Sequence, residues 1–148
     1  LLQDTTESLI EHRKKGFSSN PLIAYIEFWG LMQAIIIQQD SIMELYEAIT
    51  GIYLKTDMLI DWHKLRKLRN ICAGHPAKKD RPKNDLILRT FMGRNFGNYA
   101  GISYEQWESG CIVPSHPTVP LGKMIDAYAI EAETKLTEIL DSMKQQWP

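Results

Sequence analysis

Apolar and polar positions alternate with helical spacing over most of this chain. Leu2, Thr6, Leu9 and Arg13 share one stripe of a short amphipathic helix over Leu2 to Lys15. Gly16 follows it, where a left-handed residue commonly ends a helix. Ser18-Ser19-Asn20-Pro21 then offers a cap residue followed by proline at a first helical position. From Leu22 to about Thr50 the residues are apolar or good helix formers until Gly51, which predicts a helix roughly 43 Å long. Its apolar residues, among them Ile23, Ile26, Trp29, Ile35, Ile36, Ile42 and Leu45, cover most of the circumference. Such a helix must be buried on more than one side, and in a domain of this size one of those sides is expected to meet a second copy. Gln38-Gln39-Asp40 breaks the apolar run, as a solvated or hydrogen-bonded edge does.

A third helix is expected from Asp61 to about Ala73, with Trp62, Leu65, Leu68 and Cys72 on its core stripe and Gly74 as its C-terminal cap. Between Leu86 and Tyr104 the period changes. Leu86–Met92 and Tyr99–Tyr104 read as two strands of a β-hairpin around Gly93–Asn98. In the last stretch Thr118 stands as a cap, Pro120 in the first turn, and Leu121, Met124, Ile125, Tyr128, Ala132, Leu136, Ile139, Leu140 and Met143 form a helical stripe. The expected fold class is all-α: a bundle of four principal helices with a small β-hairpin (86–104) inserted before the last one. A chain of 148 residues makes one domain, 1–148.

Composition adds little until it is resolved along the chain. With 44% hydrophobic and 24% charged residues the protein reads as ordinary, soluble and globular. Two cysteines exclude a disulfide-dense scaffold and suit a reducing cytoplasm. The most apolar stretch, Leu22–Ile37, is interrupted by Glu27, Gly30 and Gln33 and falls short of the ~20 residues that span a bilayer, so no membrane association is expected. The net charge of −1 hides an asymmetry: Asp61–Lys83 holds eight basic residues against Asp61 and Asp80, a local +6, leaving −7 elsewhere. A segment of that kind draws polyanions, although a solvated basic face looks the same on charge alone.

Inside that segment stands Arg69-Asn-Ile-Cys-Ala-Gly-His75. The spacing, with a polar Asn70 after the arginine, resembles the signature of the HEPN superfamily, and so does its place at the end of a helix that follows a long apolar one. Leu-Arg-Lys-Leu-Arg-Asn followed by Gly-His-Pro looks like small bacterial members of that group. The resemblance implies a helical, dimeric, metal-independent endoribonuclease or RNA-processing domain. Arg69, Asn70 and His75 would lie in a cleft where two copies meet. It equally implies the alternative of a non-cleaving module that binds nucleotides, RNA or a partner, as in defence or toxin–antitoxin systems. An antitoxin-like protein or nucleotidyltransferase partner enters by the same analogy. Pro76 follows the histidine directly and Ala77 stands where some toxin members carry an aromatic, a departure from that pattern. The hairpin belongs to no minimal form of the family.

The residue types suit cleavage through the 2′-hydroxyl. A neutral imidazole accepts that proton near neutral pH, and a permanently charged guanidinium donates to phosphoryl oxygens as negative charge builds. Asn70 would orient the phosphate or its neighbours, while Lys64, Arg66, Lys67, Lys78, Lys79 and Arg81 would hold the nucleic-acid backbone. No cofactor or metal is needed. On a regular α-helix, residues six apart differ by about 240° in direction, so the break at Gly74-His75-Pro76 or dimerisation must bring the pair together. The plainer reading pairs Arg69 with Asp40 or Glu44 and lets His75 cap the helix. Cys72, His75, Cys111 and His116 also have the donor types of a zinc site, although Cys72 falls on the core stripe. His12 and His63 read as surface residues, and Tyr104 and Trp107 as packing residues able to stack on bases.

Overall fold

The computed structural model describes residues 1–74 and 88–147. His75, Lys78, Lys79 and Arg81, and the first residues of the expected Leu86–Met92 strand, lie outside them. Four helices dominate: α1 (Leu2–Lys15), α2 (Pro21–Thr50), α3 (Ile60–Arg69) and α4 (Leu121–Gln146). A 3-10 turn, Thr56–Met58, precedes α3 and a π-helical turn, Asn70–Gly74, follows it. Among the described residues five short strands come before α4: β1 (Leu88–Phe91), β2 (Gly97–Asn98), β3 (Gly101–Ser103), β4 (Glu105–Glu108) and β5 (Thr118–Val119). The architecture is a helical bundle carrying a small antiparallel β region.

Helix ends follow local chemistry. Asn20 Oδ1 accepts from the Leu22 amide at 3.0 Å, and Pro21 begins α2 without needing a donor. Gly51, at φ 70°, ends it in the left-handed region, where a Cβ would be strained. The long helix runs through the middle of the bundle and packs against α1, α3 and α4. Phe28, Met32, Ile35 and Ile42 form its buried side together with Trp62, Leu65, Leu68 and Cys72 of α3 and Leu121, Tyr128 and Ile139 of α4. All four residues of the expected α3 stripe are in the core. By length and composition α2 is apolar enough to cross a membrane, with a mean hydropathy of 1.3 in its best 18-residue window. The sequence expectation measured the uninterrupted apolar stretch alone, whereas the 30-residue helix that contains it is long enough to span.

Of the two readings of Gln38-Gln39-Asp40, the hydrogen-bonded one holds for the glutamines and the solvated one for Asp40. Both glutamines are buried, and Gln38 bridges two helices: its Nε2 donates to Thr6 Oγ1 and its Oε1 accepts from the Tyr128 hydroxyl, each at 2.6 Å. Gln39 Nε2 donates to the Trp62 carbonyl at 3.5 Å. Gln39 Oε1 and the Trp62 indole N–H are buried without a partner among the described residues, so it is the paired groups, those of Gln38 above all, that set how α1 and α4 lie on α2.

The strands do not pair as the sequence suggests. Rather than one hairpin of Leu86–Met92 with Tyr99–Tyr104, β1 pairs with β4 (Phe91 opposite Glu105), while β3 pairs with β2 and β5. Thr118 therefore belongs to a strand rather than a cap, and α4 begins after Pro120 with no side-chain cap. Gly97, at φ 111°, brings the β2–β3 hairpin so close that a Cβ would overlap the Gly101 carbonyl.

Candidate functional site

The end of α3 is held in place from both neighbouring helices. At its start, Glu131 Oε2 on α4 accepts from the backbone amides of Asp61 and Trp62 at 3.1 Å each, a cap supplied from seventy residues away. One turn before its end, Arg66 pairs with Asp40 of α2 and lies 4.0 Å from the Met43 sulfur. Of the two carboxylates offered to Arg69 in the plainer reading, Asp40 is thus taken by Arg66, and no ion pair joins Glu44 to Arg69. Lys64 is tied to Asp61 at 2.8 Å, and Lys67 is exposed.

Arg69 differs from its neighbours. Its Nη2 donates to Gln33 Oε1 of α2 at 3.0 Å and its Nη1 to Asn70 Oδ1 at 3.2 Å. Both acceptors are neutral amides. They orient the half-buried guanidinium without cancelling its charge, and among the described residues no carboxylate is paired with it. The side chain of Asn70 is therefore hydrogen-bonded to that of Arg69.

Immediately beyond Arg69 the backbone changes. Instead of α-helix to about Ala73, the chain leaves the α-helix at Asn70, whose amide donates to the carbonyls of Arg66 and Lys67, and winds as a π-helix through Gly74. A π turn closes i→i+5 hydrogen bonds and advances through a smaller angle per residue, so the 240° separation counted on an α-helix does not apply along this stretch. Single π turns within helices are frequent at functional sites. Cys72, within the turn, is fully buried, and burial pushes its thiol up to about 12. It is an apolar core group at neutral pH. Cys111 is exposed on a loop, and His116 lies 3.6 Å from Glu105. No group of three metal-ligating side chains gathers among the described residues.

One titratable cluster escaped the sequence reading. His12 is largely buried rather than a surface residue: its Nδ1 lies 2.6 Å from the Tyr99 hydroxyl, its ring edge-on to Phe17, and its Nε2 4.0 Å from Glu27. Burial lowers its pKa, partly offset by Glu27, with Lys15 adding to the lowering. Burial likewise pushes Tyr99 up to about 12. Because the folded protein resists protonating His12, the unfolded chain takes up that proton first as pH falls through about 6.5, so stability is lost in that range. Thermal unfolding between pH 7.5 and 5.5 should show a falling Tm in the wild type and a flatter profile in His12→Gln. Equal slopes would separate the imidazole from the effect. His63 is exposed, 3.3 Å from Asp57.

No protein-family model, curated protein or solved structure matches the chain.

Proposed function

We propose that this chain is a HEPN-like domain that acts on cytoplasmic RNA, cutting it without a metal. The observation that carries the reading is the state of Arg69: a half-buried cation fixed by two neutral amide oxygens at the point where α3 turns into a π-helix. Held in this way and paired with no carboxylate among the described residues, the guanidinium keeps its charge for an external anion. Arg66, neutralised by Asp40, drops out of that role, while Lys67 and, in sequence, Lys78, Lys79 and Arg81 supply backbone contacts.

In this reading Arg69 donates to the non-bridging oxygens of one phosphate, with Asn70 holding its plane. The His75 imidazole takes the proton of the adjacent 2′-hydroxyl. The 2′-oxygen forms its bond to phosphorus as the bond to the 5′-oxygen breaks, and that oxygen leaves with a proton from water. The products are a 2′,3′-cyclic phosphate and a 5′-hydroxyl.

A homodimer completes the proposal. Leu22, Ile26 and Trp29 of α2 are 54%, 70% and 43% exposed, and they lie on the face that ends at Gln33, the residue that holds Arg69. A second copy covering that stripe would bring two Arg69 groups towards one seam. An antitoxin-like protein is the other partner the family analogy suggests. The test is incubation of purified protein with single-stranded RNA and with DNA of the same sequence, chelator present. Cleavage of the RNA alone is the expected result. RNA bound but left intact would favour the non-cleaving module, and no binding to either would overturn the reading.

A further inference from the structure

The small sheet formed by β1 and β4 has one face turned to the core and one turned out. Thr90 is buried, whereas the flanking Arg89 and Phe91 are exposed. Their cross-strand partners are Trp107 and Glu105, so all four side chains stand on the outer face. Phe91 is 46% exposed and Trp107 38%, a high cost for two aromatic rings unless something covers them. Together the four line an open hollow of about 490 Å³. Arg89 and Trp107 also border a second hollow of about 290 Å³ with Glu108, Ser109, Gly110 and Cys111. An indole and a guanidinium thus divide two adjacent hollows.

Position and ring chemistry point to one occupant, with Glu105 and Glu108 standing beside Arg89 at the two hollows. Arg89 has no ion pair among the described residues, whereas Glu105 is engaged by the Trp107 indole N–H and by His116. The π-helical turn that follows Arg69 lies against β1. The sheet therefore stands beside the turn that continues the chain from Arg69. Exposed aromatics beside guanidinium groups are the surface on which unpaired bases stack, whatever their sequence.

We propose that Phe91, Trp107 and Arg89 form a stacking platform for the bases of single-stranded RNA whose phosphate is held at Arg69, a role that rests on the functional reading above. Arg69 grips the backbone, and the sheet holds the neighbouring bases unstacked and splayed. A duplex, whose bases are unavailable, would engage only the cationic part.

The test is equilibrium binding of a 2′-O-methyl decaadenylate, which keeps bases and phosphates but lacks a free 2′-hydroxyl, and of an abasic decamer of equal charge. Trp107→Ala should weaken the decaadenylate roughly tenfold while leaving the abasic decamer within about twofold, and Trp107→Phe should restore most of the difference. Far-UV circular dichroism checks that each variant is folded. If Trp107→Ala weakens both oligomers equally, or neither, while Arg69→Gln weakens both, the platform is overturned and the phosphate site stands. If the wild type binds neither oligomer, both readings are overturned.

Discussion

Replacing Arg69 with Gln should slow RNA cleavage by about 10²–10³-fold, whereas Arg66→Gln should change it by less than about threefold. The two arginines stand one turn apart on the same helix, and a count of charges along the sequence treats them alike. Their partners separate them. Arg66 is paired with the Asp40 carboxylate, so its removal takes away little field at a distance and leaves behind a carboxylate that is 56% exposed and easily solvated. Arg69 is held by Gln33 and Asn70, with no carboxylate paired to it among the described residues, so the proposed phosphate contact would meet an uncompensated charge. Glutamine at position 69 keeps a donor but loses the charge and the fork. His75→Ala should have an effect of similar or larger size, about 10²–10⁴-fold, with RNA binding retained, because in the proposed mechanism the imidazole moves a proton rather than holding the backbone. Single-turnover cleavage beside equilibrium binding separates these cases. Equal losses at Arg66 and Arg69 would mean that diffuse positive charge, rather than an oriented guanidinium, does the work.

The second large effect belongs to the scaffold. Trp62→Ala should destabilise the protein by about 3–5 kcal/mol, lowering Tm by on the order of 10 °C. The indole is fully buried and packs edge-on against Tyr128, with centroids 5.7 Å apart. The Trp62 amide is capped by Glu131, and its carbonyl accepts from Gln39. Trp62 thus joins α3 to both α2 and α4, and its loss leaves a cavity at the start of the helix whose other end carries Arg69. Thermal unfolding followed by circular dichroism measures the effect. A shift of only a degree or two would place the core elsewhere.

The limits of sequence reading are visible in particular residues. Gly16, Asn20 and Gly51 mark the bounds of α1 and α2 because capping is local chemistry: the partner of each group lies within a turn of it. The α3 stripe was legible for the same reason, since burial repeats with helical period. What failed was whatever depends on a distant partner. Period-two alternation tells which face of a strand is buried but not which strand lies beside it, so β1 was matched to the wrong segment. His12 reads as a surface residue until Tyr99, 87 positions away, closes over it. Arg66 and Arg69 are equivalent in sequence until Asp40 and Gln33 arrive from α2. The π turn has no compositional mark in Asn-Ile-Cys-Ala-Gly, and it is the feature that alters the geometry beyond Arg69.

The chemical claim at the centre is that the substrate's own 2′-oxygen attacks the phosphate gripped by Arg69. Mass spectrometry of the ends left on a short RNA, cut by the wild-type protein in chelator, tests it most directly. A 2′,3′-cyclic phosphate on one fragment and a 5′-hydroxyl on the other are expected, with no cut where the scissile nucleotide is replaced by its 2′-deoxy form. A 5′-phosphate paired with a free 3′-hydroxyl, or cutting that persists at the deoxy position, would contradict it.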